Sequence, residues 1–68
     1  MSDSWTTTAA SNIKSGERIR HRGEEFDVAR IDAGFLGMAN MLCFIEDTPS
    51  RWRAHPAMVD ADIEVHRG

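Results

Sequence analysis

The sequence predicts an all-β domain, and three observations support this prediction. Short segments in which apolar and polar residues alternate recur along the chain. Glycine, proline or serine separates these segments, and no long segment has helical periodicity. The predicted architecture is a small five-stranded antiparallel barrel with one short helical turn before the last strand.

The first half of the chain predicts a tail followed by a β-hairpin. Residues 1–11 are rich in Ser, Thr and Ala and are expected to form a flexible N-terminal tail, with the single domain over residues 12–68. The first strand is expected over residues 17–22. Gly23 suits a tight turn, since glycine tolerates positive φ, and the second strand is expected over residues 24–31.

The second predicted strand does not keep a strict two-residue period. Phe26 and Val28 share one face, whereas Ile31 falls on the other. A β-bulge near residues 29–30 would return Ile31 to the core, and such bulges bend the strands of small barrels.

The second half of the chain predicts three further strands. Residues 41–47 are apolar on both faces, which is typical of a central strand. A fourth strand is expected over residues 51–55, where Pro56 ends it because proline lacks a backbone donor. Residues 56–61 are expected to form the helical turn, and residues 63–66 the last strand.

The connection at residues 33–42 leaves an alternative open. A short helix there would give an α+β domain instead of an all-β one. Gly34, Gly37 and Asn40 disfavour the helix, because glycine and asparagine are poor helix formers.

The order of these elements resembles an SH3-like barrel. In addition, residues 13–46 resemble the barrels of phage head-to-tail joining proteins. The similarity lies in SGERIRHRGEEFDV, where a glycine-acid turn, a strand, a glycine and a strand ending in aromatic-x-Val follow one another. This resemblance implies a barrel fold, with a role in a phage-like assembly as one expectation, but a fold does not fix a function.

Composition limits the classes of protein to which the chain can belong. The chain has 68 residues, a net charge of −3 and one cysteine, Cys43. A single cysteine excludes an internal disulfide and indicates a reducing compartment. Because no secretory signal or 18-residue apolar run is present, we expect a cytoplasmic protein with no membrane partner.

Two basic rows are the candidate nucleic-acid contacts. They consist of Arg18, Arg20 and Arg22, and of Arg51 and Arg53. Guanidinium groups suit phosphate oxygens, so converging rows would bind a nucleic-acid backbone. The alternative is a solvated strand face whose charges are balanced by acids of the hairpin, and the negative net charge favours this alternative.

The connection AGFLGMAN contains the candidate protein-binding residues Phe35, Leu36 and Met38. Apolar side chains in a loop are typical of a contact with another protein or with a second copy of the chain. Alternatively, the loop plugs an open end of the barrel. The segment Arg51, Trp52, Arg53 would add a charged rim to the contact.

The aromatic residue of that segment, Trp52, is expected mainly to fill the core. The chain has no tyrosine and only three phenylalanines and two tryptophans, so most aromatic side chains are needed inside. A polyproline-binding groove, which needs several exposed aromatic side chains, is therefore not expected.

No residue pattern indicates an enzyme, a metal site or a cofactor. His21, Cys43, His55 and His66 lack the close pairing of zinc ligands. No nucleophile motif or phosphate-binding loop is present. The sequence therefore predicts a non-enzymatic binding module that docks on a partner protein. Nucleic-acid binding and a structural role in an assembly are the alternatives.

Overall fold

The chain folds into β-strands joined by short turns. The computed structural model describes residues 4–67, except for the side chain of Phe35. Within these residues the strands are β1 (Trp5–Ala9), β2 (Arg18–His21), β3 (Glu24–Asp27), β4 (Arg30–Ala33), β5 (Met41–Thr48), β6 (Arg51–Met58) and β7 (Asp62–His66). Two 3₁₀ turns, Ala10–Asn12 and Phe35–Gly37, complete the elements.

The strands form two antiparallel sheets. The four-stranded sheet has the order β1-β7-β2-β3, and the three-stranded sheet has the order β4-β5-β6. The predicted all-β, antiparallel class is therefore confirmed. The prediction of a closed five-stranded barrel is wrong, because the described residues form seven strands and the two sheets do not close into a barrel.

One additional strand is β1, which lies within the segment predicted to be a tail. It pairs with β7, placing Thr6 opposite Val65 and Thr8 opposite Ile63. β-branched threonines favour this extended conformation. The predicted tail is thus replaced by a strand and a 3₁₀ turn over residues 5–12, while residues 1–3 lie outside the described residues.

The other additional strand arises because the predicted second strand divides between the sheets. The Val28 N–H donates to the Glu17 carbonyl at 2.9 Å, whereas the Ala29 N–H donates to the Ile45 carbonyl at 2.8 Å. The chain therefore changes sheets at this point instead of forming a bulge. Ile31 lies opposite Phe44 and packs against the core, as the sequence predicted.

The predicted hairpin between β2 and β3 is confirmed. Ile19 lies opposite Phe26, and the two residues of the turn both have positive φ, 55° at Arg22 and 77° at Gly23. This geometry matches the right-handed twist of the paired strands, and glycine adopts it without a Cβ clash.

The predicted central strand is also confirmed, since β5 pairs with β4 on one side and β6 on the other. Leu42 and Phe44 point into the core between the sheets. Cys43 and Ile45 alternate with them and therefore lie on the opposite face of the three-stranded sheet.

The helical turn predicted over residues 56–61 is absent, because β6 continues through Pro56 to Met58. β6 is an edge strand, where the missing donor of proline is tolerated. The alternative helix over residues 33–42 is also absent, and only the three-residue 3₁₀ turn Phe35–Gly37 forms there.

The core lies between the two sheets and is small. It is formed by Ala10, Ile13, Ile19, Phe26, Val28, Leu42, Phe44, Ala57, Ile63 and Val65. The largest of these side chains are almost completely inaccessible to water. Since each sheet contributes one face, the core depends on both sheets remaining in contact.

We predict that Phe44→Ala removes much of the free energy of unfolding. Phe44 is 0% exposed, and such truncations cost about 3–5 kcal/mol. A domain of this size is stabilised by only about 3–10 kcal/mol. Urea unfolding followed by circular dichroism measures the loss, with Leu36→Ala, at a 78% exposed position, as the nearly neutral control. A loss below about 1 kcal/mol for Phe44→Ala would contradict this packing.

Candidate functional site

The outer face of the three-stranded sheet is largely apolar. By strand alternation, every second residue of β6 points away from the core. These residues are Trp52, Ala54, Pro56 and Met58, and their partners across the β5 ladder are Asp47, Ile45, Cys43 and Met41. We call this set the apolar outer face.

Several side chains of the apolar outer face are open to water. Trp52 is 54% exposed and Met58 is 41% exposed. The expectation that Trp52 fills the core is therefore wrong. Its neighbours Arg51 and Arg53 occupy the inner side of β6, where they pair with a buried carboxylate, and alternation then directs Trp52 outward.

The connection between β4 and β5 lies at the Met41 end of this face. Backbone hydrogen bonds fix it there, from the Gly34 N–H to the Met41 carbonyl and from the Met41 N–H to the Met38 carbonyl. Leu36 is 78% exposed and Met38 is 45% exposed, so these two side chains do not plug the core. The side chain of Phe35, the third predicted contact, lies outside the described part of the structure.

The predicted arginine rim lies on the other side of β6. Glu46 is only 4% exposed and receives the Arg51 Nε–H at 3.1 Å and the Arg53 Nε–H at 3.2 Å. His55 Nε2 lies 3.2 Å from the same carboxylate. Arg51 and Arg53 therefore neutralise a buried acid, and the structure does not bring them onto the face of Trp52.

Side chains also join β3 to β6, and we call these contacts the hairpin seam. Phe26 stacks on the His55 ring with centroids 3.8 Å apart. Glu24 forms an ion pair with Arg53, and His21 Nε2 lies 3.4 Å from the Pro56 carbonyl oxygen. Because a carbonyl can only accept, this nitrogen donates.

A shallow pocket of about 280 Å³ opens at this seam. Its walls include His21, Arg22, Arg53 and His55. Burial lowers the pKa of His21, so its ring is mainly neutral near pH 7. The positive charge of Arg53 is already balanced by the carboxylates of Glu24 and Glu46. Among the described residues that line this pocket, Arg22 is therefore the arginine whose charge no ion pair balances.

The first basic row is balanced by acids of neighbouring strands. Arg18 donates to Glu25 at 2.6 Å and to Asp27 at 3.0 Å. Arg20 donates to Glu64 at 3.0 Å and lies 3.9 Å from the centre of the Trp5 ring. These contacts match the solvated-face alternative for both residues.

The remaining arginine of this row, Arg22, lies at the hairpin turn, and no ion pair involves it within residues 4–67. Of the five arginines proposed to bind nucleic acid, four are therefore in ion pairs.

Two further groups of the site have pKa values that depart from their ordinary values. Burial opposes ionisation of Glu46, but hydrogen bonds from His55 and Arg53, with the charge of Arg51, outweigh it and lower the pKa of the carboxyl. Burial raises the pKa of the Cys43 thiol, which keeps it protonated and unreactive.

Comparisons with known proteins do not assign a family. No protein-family model, curated protein or solved structure matches the chain. The resemblance to SH3-like and phage joining barrels therefore stays a prediction.

Within residues 4–67, no three His, Cys, Asp or Glu side chains are grouped so that they could hold a metal ion. No helix in this part of the chain has the length and apolar character needed to cross a membrane.

The sequence did not lead to the prediction that Ala54, Pro56 and Met58 belong to the exposed face. A signal was present, because RWRAHPAM alternates arginine or histidine with tryptophan, alanine and proline. Ending the strand at Pro56 concealed this two-residue period, although an edge strand accepts proline.

We predict that Glu46 makes the stability of the fold sensitive to acid. The pKa of Glu46 is lower in the folded chain than its ordinary value of 4.5, so its contribution is present above that pH. The contribution is lost as the pH falls through the folded-state pKa. Thermal unfolding between pH 7 and about pH 3 should therefore show a smaller acid-induced loss in Glu46→Gln than in the wild type.

The control for this series is Glu25→Gln, which removes an exposed partner of Arg18. It should keep the wild-type pH dependence, since exposed ion pairs contribute little. Equal acid sensitivity in Glu46→Gln and the wild type would contradict the role of the buried carboxylate.

Proposed function

We propose that this protein is a non-enzymatic binding module that docks on a partner protein through the apolar outer face and the adjoining connection. The observation that carries the proposal is the placement of four exposed large hydrophobic residues: Leu36, Met38, Trp52 and Met58. Isolated exposed apolar residues are ordinary, whereas a continuous apolar face is typical of an interaction surface.

The size of this face indicates a small contact. β5 and β6 each have eight residues, so their outward rows extend for about 25 Å along the strands and about 10 Å across them. This area of about 250 Å² is smaller than the roughly 800 Å² that one partner contributes to a standard interface, so the adjoining connection must supply part of the contact. Trp52, near one end, would be an anchor, because tryptophan is enriched among the residues that dominate binding energy.

Charges at the border of the face indicate the chemistry of the partner. On β4, Arg30 lies 3.8 Å from Asp47 in an ion pair. Asp32 is exposed opposite Cys43 and has no ion-pair partner within residues 4–67. We therefore propose a partner with a flat apolar patch and a lysine or arginine at its edge, which would meet Asp32.

Nucleic-acid binding is the weaker alternative. Arg18, Arg20, Arg51 and Arg53 already have carboxylate partners, and binding phosphate would require breaking those ion pairs. A structural role in a larger assembly is a special case of protein docking and would use the same apolar face.

We predict that a photo-crosslinking amino acid at Ala54 captures a partner in cells. Ala54 is exposed at the centre of the outward row of β6. The same amino acid at Glu25, on the outer surface of the other sheet, is the matched control. The captured protein must then be purified, because the proposal concerns direct binding.

Calorimetric titration with that purified partner tests the surface itself. Trp52→Ala should weaken binding by about 30-fold or more, as expected for an anchor residue. Met58→Glu should also weaken it, whereas Met58→Leu, which keeps the apolar contact, should bind as the wild type does. Equal capture at positions 54 and 25, or unchanged affinity for both weakening variants, would overturn the proposal.

A separate prediction distinguishes nucleic-acid binding from docking on a protein. Fluorescence anisotropy with duplex DNA and single-stranded RNA, at about 50 and about 200 mM salt, should show no steeply salt-dependent binding. Steep binding that Arg20→Ala and Arg53→Ala together weaken, with a lower salt slope, would favour nucleic acid as the partner.

A further inference from the structure

The edges of the two sheets are not equally protected against pairing with another strand. β3 contains three acids in four residues, and β4 has Arg30 and Asp32 exposed. On β6, Pro56 lacks a donor and its carbonyl accepts from His21. Charge and proline are common devices that prevent edge-to-edge association.

The fourth edge, β1, has none of these devices. Its sequence is WTTTA, without charge, proline or glycine, and it is rich in residues that favour strands. It borders the four-stranded sheet, and within residues 4–67 its one strand partner is β7. The β1 edge is therefore open to a further strand.

The register shows which backbone groups are available. The Ser4 carbonyl accepts from the Arg67 N–H, and the Ala10 N–H donates to the Ala61 carbonyl, so even-numbered residues of this segment face β7. Backbone groups alternate in direction along an antiparallel strand. The N–H and C=O groups of Trp5, Thr7 and Ala9 therefore point outward.

We propose that β1 pairs with β1 of a second copy of this chain, in an antiparallel arrangement around a two-fold axis at Thr7. Trp5 of one copy then lies opposite Ala9 of the other, and the two Thr7 residues lie opposite each other. Each of these pairs can exchange two hydrogen bonds. The two four-stranded sheets would become one continuous sheet.

The strand is self-complementary in this arrangement. A two-fold interface places each residue against the same segment of the other copy, so a charge at the axis would meet its own sign. Thr7 is uncharged, and paired threonines in neighbouring strands stabilise a sheet. The Trp5 ring lies over Arg20, on the outer surface of its own sheet, and leaves the backbone edge open.

This surface is independent of the proposed docking site. β1 belongs to the four-stranded sheet, whereas the apolar outer face belongs to the three-stranded sheet. A dimer through β1 would leave both copies of the apolar outer face free and would double the number of partner sites, which increases avidity.

Sedimentation velocity of the full chain, from about 10 µM to about 1 mM, tests the proposal in the micromolar-to-millimolar range of weak association. We expect a reversible dimer. Thr7→Pro should abolish it, because the outward N–H is removed and an outward N–H is not needed within the fold. Thr7→Val keeps the N–H and should remain dimeric. A wild-type monomer at every concentration, or a Thr7→Pro dimer as tight as the wild type, would overturn the proposal.

Charged substitutions of Thr7, at the proposed axis, test the register without introducing a proline. Thr7→Lys and Thr7→Glu should each dimerise more weakly than the wild type, since like charges meet at the axis. An equimolar mixture should form a heterodimer about tenfold tighter than either homodimer. Mixing with no preference for the heterodimer would contradict an axis at Thr7.

Discussion

The hairpin seam joins the two sheets through side chains of β3 and β6, two strands between which no backbone hydrogen bond forms in the described part of the chain. Phe26 stacks on His55, and Glu24 pairs with Arg53, which also reaches the buried Glu46. A buried carboxylate is costly unless it is paired, so Glu46 requires its cationic partners on the inner side of β6. Strand alternation then places Trp52 on the outer side. The exposed apolar face is thus a consequence of the polar contacts on the opposite face of the same strand.

The core formed by the described residues covers one face of each sheet. The core uses the inner faces, and the outer face of the three-stranded sheet has no further layer within the described residues. Ile45 and Cys43 are nevertheless buried there, opposite Ala54 and Pro56. A partner on this face would add the missing layer. Because it would bind the folded state alone, it would also stabilise the fold.

The sequence predicted the elements whose pattern is local. Alternation identified β5 as central, and Gly23 identified the hairpin turn, because both features depend on neighbours in the chain. The strand at Trp5–Ala9 was missed, since an uncharged threonine-rich segment becomes a strand only when β7 is beside it. The change of sheet at Val28 was also missed, because it depends on a hydrogen bond to Ile45 from far along the sequence.

The candidate site was predictable in part. Leu36 and Met38 were identified from their apolar character in a loop, and both are exposed. The position of Trp52 was not, because the sequence does not show that Arg51 and Arg53 have a buried acid to meet. Local pattern located the apolar residues, whereas only tertiary contacts determined which of them face water.

Hydroxyl-radical footprinting of the free protein and of its partner complex tests the central claim, that the apolar outer face is open until a partner covers it. In the free protein, Trp52, Met38 and Met58 should be oxidised rapidly, and Phe44 should be protected. In the complex, oxidation of Trp52 and Met58 should fall while oxidation of Trp5 stays unchanged. Protection of Trp52 in the free monomer, or equal oxidation with and without partner, would contradict the account.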